Sequence, residues 1–176
     1  MKKLLCLIAV ITLAQPALAK GSGWMVEVDP IAYFFKGYSV HVSKELGQTG
    51  LVLDLGVFAM DVPDDVEANK DFDTKFDGYG FKLNYTGDQP DGFFAGISGG
   101  INNLYATEKV SHEEQQESVG SVGVQAGYRF GNEGFYIQPW IGINYLLNDV
   151  TFKINNKEYN QERVQFFPTV HLGYQF

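Results

Sequence analysis

The sequence predicts an all-β chain of about eight antiparallel strands, wound up and down into a closed barrel with its apolar face outward. Three observations predict it. Apolar and polar residues alternate in run after run, and no segment holds a helical period for long. Connections alternate between tight Gly-rich turns and long polar stretches. The last run, "FFPTVHLGYQF", stays apolar on one face up to Phe176, where a chain end would ordinarily be polar and frayed.

The chain opens with Lys2 and Lys3, a short apolar run from Leu4 to Leu13, and Ala17-Leu18-Ala19. This is the pattern of a secretory signal peptide, with cleavage expected after Ala19. The run is too short for a spanning helix, which needs roughly 20 apolar residues. Cleavage would leave residues 20–176, one domain of 157 residues, and would remove Cys6, the only cysteine. An exported domain without a disulfide must be stabilised in another way. The mature chain would carry 11 basic against 21 acidic residues, a net charge of −10. That sign argues against a nucleic-acid partner. No nucleotide, haem or zinc motif is present, and no cofactor or metal is expected.

The strands follow in order. The first is expected over 24–34, the second over 38–46, the third over 51–62 and the fourth over about 74–86. The fifth covers 92–107 and the sixth 118–130, the seventh runs from Phe135 past Leu147, and the eighth ends at Phe176. Each is long enough to cross a bilayer, for which about 9–11 residues suffice. "GQTG", "GDQPDG" and "GNEG" are the tight turns. The long connections are 61–73, 108–118 and 150–164, the last reading as a protruding hairpin with Asn155-Asn156 at its tip. "DPIAYFFKG" has the marks of a short helix, with Asp29 as N-cap, Pro30 at the first position and Gly37 past the end. A helix there would leave seven full strands, whereas single-chain bacterial barrels have an even number. A strand with Pro30 at an edge or bulge and a turn at Lys36-Gly37 is therefore expected.

Lipid solvates no backbone group, so a spanning sheet must close on itself. The outward set includes Val42, Leu55, Val57, Tyr79, Phe81, Val124, Ile137, Ile141 and Leu172, with aromatics such as Phe93, Tyr128, Phe135, Tyr174 and Phe176 near strand ends. The inward set is polar or glycine. A barrel of about eight strands has room inside only for side chains, so these groups must pair with one another. The expected interior network is His41, Glu45, Asp54, Lys82, Arg129 and His171, with Glu27 and Asp29 as further partners.

The Ala-Leu-Ala site, the Gly-flanked aromatic strands and the terminal "HLGYQF" resemble the small outer-membrane β-barrel proteins of Gram-negative bacteria. The resemblance covers nearly all of the mature chain and is architectural. It implies a porin-like barrel in the cell outer membrane, monomeric, in contact with membrane lipid and lipopolysaccharide, and recognised by the barrel-assembly machinery through its terminal Phe. It does not imply a single role, because such barrels serve as adhesins, channels, anchors and enzymes.

The expected role is structural or interactive. The enzyme alternative is "HVSKE", where His41, Ser43 and Glu45 share one strand face. A serine nucleophile needs a base within reach and a carboxylate to orient it. The sequence loosely resembles the His-x-Ser of barrel-shaped lipid A deacylases, although its neighbours do not match. A narrow channel or small-ligand-binding barrel is the other alternative, and a soluble lipocalin-type barrel with inverted faces is a fourth. The acidic stretches at 61–73 and 108–117 match no calcium loop and read as solvated, mutually repelling surfaces.

Overall fold

The computed structural model describes residues 23–64, 67, 69–87, 91–131 and 133–176, so the expected signal peptide and its cleavage site lie outside the described residues. The described chain forms β1 (Trp24–Val28), α1 (Pro30–Phe34), β2 (Tyr38–Glu45), β3 (Leu51–Asp61), β4 (Phe72–Tyr85) and β5 (Gly92–Glu108). It continues with β6 (Glu114–Arg129), β7 (Gly134–Leu146), β8 (Val150–Ile154), β9 (Lys157–Gln161) and β10 (Val164–Gln175). Eight strands close into a barrel in the order β1-β10-β7-β6-β5-β4-β3-β2, and β8 and β9 make a separate hairpin. Every pairing is antiparallel.

Residues 29–37 are not a strand. Asp29 Oδ1 accepts the Ile31 N–H at 2.8 Å, Pro30 starts α1 and Phe35 caps its end. The expectation assumed that a helix here removes a strand, but it only shortens one. β1 keeps five residues, and four of them complete the barrel from Met25↔Gln175 to Val28↔Leu172. The left-handed residue after the helix is Lys36, at φ 57°, and not Gly37. Gly37 serves a different need, since a Cβ there would overlap the Ala59 carbonyl oxygen on β3.

The sidedness is as expected. Leu55, Tyr79, Val124, Ile137, Phe166 and Leu172 are exposed, whereas Asp54, Gln125, Arg129, Gln138, Thr169 and His171 are buried. A water-soluble barrel would show the reverse. On the outer wall, Phe93, Tyr128 and Phe130 form one chain of ring contacts at 4.8 and 4.5 Å, and Phe135 and Tyr174 begin a second at 4.9 Å that ends 5.0 Å further on at Phe176, which is buried where an exposed ring was expected. Both lie near the short turns, where an interfacial aromatic girdle belongs. The tight turns, the start of β1 and the end of β10 share that end. α1, the long loops and the hairpin share the other.

The hairpin tip is Asn155-Asn156, at φ 50° and 62°, as a two-residue primed turn requires. Instead of protruding, the hairpin folds over the barrel mouth. Val150, Phe152, Ile154 and Tyr159 bury against Phe72, Leu104, Ala106, Val119 and Leu146 at the loop-side ends of the inner wall. An isolated two-stranded hairpin is marginal in water. Burial of each large side chain, at about 1.5–3 kcal/mol, supplies what it lacks.

The close approach at residue 37 makes a testable prediction. Gly37→Ala should destabilise the folded barrel by about 1–3 kcal/mol, as overpacking does, whereas Lys36→Gly should be neutral or stabilising. Urea titration read by heat-modifiable gel mobility checks both.

Candidate functional site

Strand alternation brings polar side chains from β1, β2, β3, β4, β6, β7 and β10 into one layer of the lumen. Two carboxylates organise it. Asp54 accepts from Ser43 Oγ at 2.7 Å and His41 Nδ1 at 2.8 Å, with Lys82 Nζ at 3.5 Å. Glu27 accepts from the Tyr136 hydroxyl and His171 Nδ1, each at 2.6 Å, with Arg129 Nη2 at 3.7 Å. Arg129 Nε donates to Gln138 at 2.9 Å, and its guanidinium lies 4.3 Å from the Tyr136 ring centre. Tyr136 can lie across the sheet because its cross-strand partner is Gly173, where a Cβ would strike the ring. The His41 and His171 rings, 4.7 Å apart, join the two halves. Two acidic and two basic residues thus balance in this largely buried layer.

Of the expected network, His41, Asp54, Lys82, Arg129 and His171 come together. Glu45 does not; it accepts from Gln175 Nε2 at 2.8 Å near the short-turn end. Asp29 caps α1 and accepts from Thr169 Oγ1 at 2.6 Å, fastening the helix to β10. Among the described residues, no three His, Cys, Asp or Glu side chains converge as a metal site would require.

The "HVSKE" set is rearranged. Ser43 donates to Asp54, while the serine beside His41 Nε2 is Ser39, at 3.0 Å. An ionised carboxylate only accepts, so His41 Nδ1 is the side that donates to Asp54, and Nε2 is the side that meets Ser39. Serine, imidazole and carboxylate are therefore in sequence. Ser39 and Ser43 flank His41 at equal spacing on one face, so the sequence could nominate either.

Above this layer lies a cavity of about 400 Å³. Phe58, Phe76, Phe167 and Leu104 form apolar parts of its wall, and Ser39, His41, Lys82 and Trp140 are among its polar liners. Trp140 was not singled out by sequence reasoning, because it reads as one more aromatic on a membrane strand. Beyond the cavity sits the hairpin, and ion pairs hold it to the acidic loops. Lys157 Nζ contacts Asp71 and Glu108 at 2.8 Å each, and Lys109 contacts Asp64 at 2.6 Å. The Lys157 hydrogen bond, with backbone N–H groups of Ser111 and Val110, holds Glu108 down to about 2, so it is ionised at neutral pH. The acidic loops are cross-linked by lysines at these points, where mutual repulsion was expected.

Removing one member of a buried pair leaves the other unpaired, at a cost of about 3–5 kcal/mol. Glu27→Gln should therefore cost stability in that range. The double variant Glu27→Gln/Arg129→Met should lose clearly less than the sum of its singles. Urea-dependent heat modifiability of the four proteins closes the cycle.

No protein-family model matches the chain, and no curated protein matches it either. Solved structures do. Neisserial surface protein A has a TM-score of 0.57 at 11% identity, covering 88% of this chain and 98% of that one. The N-terminal β-barrel domain of Pseudomonas aeruginosa OprF has a TM-score of 0.51 at 14% identity, covering 87% and 96%. A major outer membrane protein from Thermus thermophilus has a TM-score of 0.50 at 14% identity, covering 87% and 98%. At such identities the likeness is one of fold, and the chain has the closed eight-stranded antiparallel barrel of small outer-membrane proteins.

Proposed function

We propose that this chain is an integral outer-membrane barrel that acts as a closed scaffold, displaying a cross-linked acidic loop surface on the side of its long connections. The outward apolar faces and the girdle of aromatic rings support the location. One observation carries the closed scaffold: the lumen is crossed by the Glu27–Asp54 layer at one level and by the docked hairpin at another. Partners are membrane lipid and lipopolysaccharide around the wall, and the assembly machinery at the terminal Phe176. We take the barrel to act as a monomer, and the β1–β10 pairing leaves no open strand edge at the short-turn end for a second copy to extend.

Fractionation should place the protein in the outer membrane, with a folded form that migrates faster than the boiled one. Planar bilayers should show no unitary conductance. Deleting residues 150–161 should leave them silent, because the charged layer still blocks the lumen. Unitary steps from the intact protein would replace the scaffold with a channel.

The relay Ser39–His41–Asp54 favours one second reading, a hydrolase acting on lipid esters. Its nucleophile would be Ser39, with His41 as base and Asp54 orienting it. A fluorophosphonate probe should then label the wild type and Ser43→Ala but not Ser39→Ala, and overexpression should alter the lipid A mass spectrum. An unlabelled wild type leaves the relay as interior hydrogen bonding.

A further inference from the structure

The cavity above the charged layer is built unevenly. Phe58, Phe76, Phe167 and Leu104 give it a hydrocarbon stretch of wall toward the hairpin, where Asn160 and Gln161 also reach the space. At 400 Å³ it falls within the range of small-molecule sites. At another part of the wall, Lys82 Nζ stands 4.9 Å from the Trp140 ring centre, and both residues line the space. Trp140 Nε1 is buried and has no hydrogen-bond partner among the described residues. An indole N–H can only donate, and an ammonium group can only donate. A buried donor without an acceptor costs about 1–3 kcal/mol. This pole therefore calls for an acceptor.

The charge balance narrows the kind of acceptor. Glu27 and Asp54 already offset Lys82 and Arg129 one for one. A carboxylate brought beside them would add an uncompensated charge in a desolvated space. A carbonyl oxygen accepts the same hydrogen bonds without that charge.

The way in is also indicated. The hairpin covers the mouth, and the charged layer closes the other end. On the flank, β10 pairs with β1 only from Leu172 to Gln175, and above that level α1 takes the place of a strand. Ala32 of α1 lines the cavity, while Tyr33 and Phe34 face outward. An apolar ligand arriving from the bilayer would enter beside this helix.

We infer that the lumen is a binding site for a medium-chain acyl compound with an uncharged carbonyl head, the head at Lys82 and Trp140 and the chain among the phenylalanines. This goes beyond the scaffold and does not require hydrolysis.

The chain has two tryptophans, so Trp24→Phe makes Trp140 the sole emitter. That protein, in lipid nanodiscs, would be titrated with methyl 10-bromodecanoate, whose bromine quenches nearby indoles. Saturable quenching is expected, reversed by excess unbrominated methyl decanoate. Lys82→Met and the cavity-filling Ser98→Phe, each checked for heat-modifiable folding, should weaken binding at least tenfold. At neutral pH 10-bromodecanoate should bind more weakly than its ester. Quenching that rises linearly, resists displacement by the unbrominated ester and is equal in the folded variants would overturn the site. Tighter binding of the carboxylate would overturn the uncharged head.

Discussion

The constraint on which everything else rests is backbone satisfaction in a medium that offers no hydrogen bonds. The chain meets it with a seam of only four paired positions between β1 and β10, the narrowest junction in the barrel. β10 pairs with β7 along all twelve of its residues, and only its last four pair with β1 as well. The backbone N–H of Phe176 adds a bond to Trp24 O at 3.0 Å, so both ends of the barrel meet in one ladder. The short first strand frees the residues after it, and α1 is the result.

Inside the wall, buried charges must match because nothing else will solvate them. Asp54 and Glu27 each gather a histidine, a hydroxyl and a cation. The two groups differ in detail. Tyr136 lies over Gly173 and under Arg129, whereas Asp54 is reached by two side chains from the adjacent β2. The same layer carries the structural role and a serine–imidazole–carboxylate relay. This is why Ser39, His41 and Lys82 can be read both as filler and as function.

Much of this was legible in the chain. Alternation from Phe166 to Phe176 correctly sorted Leu172 outward and His171 inward, because period two leaves only one register with a dry face. His41 and His171 were both legible as inward-facing, and closure of β1 between β2 and β10 brings their rings together. Asn155-Asn156 marked its turn because few residues accept positive φ. What failed had long-range causes. The helix at Pro30 was declined on a strand count that could not foresee a five-residue β1. Phe152 and Tyr159 read as half of a free hairpin, since nothing local says that their face meets Phe72. The lysine contacts to Asp71, Glu108 and Asp64 join separate loops and leave no periodic trace. Trp140 stood unnoticed because an orphan N–H is a property of its surroundings.

The strands differ greatly in length. β5 has 17 residues and β6 has 16, against five in β1. At about 3.3 Å per residue, β5 runs for roughly 55 Å and β1 for roughly 17 Å. The rim is thus a slope, with a tall parapet on one flank and a low sill on the other. Anything bulky that approaches from the loop side meets the parapet first and comes to the covering ribbon across the sill.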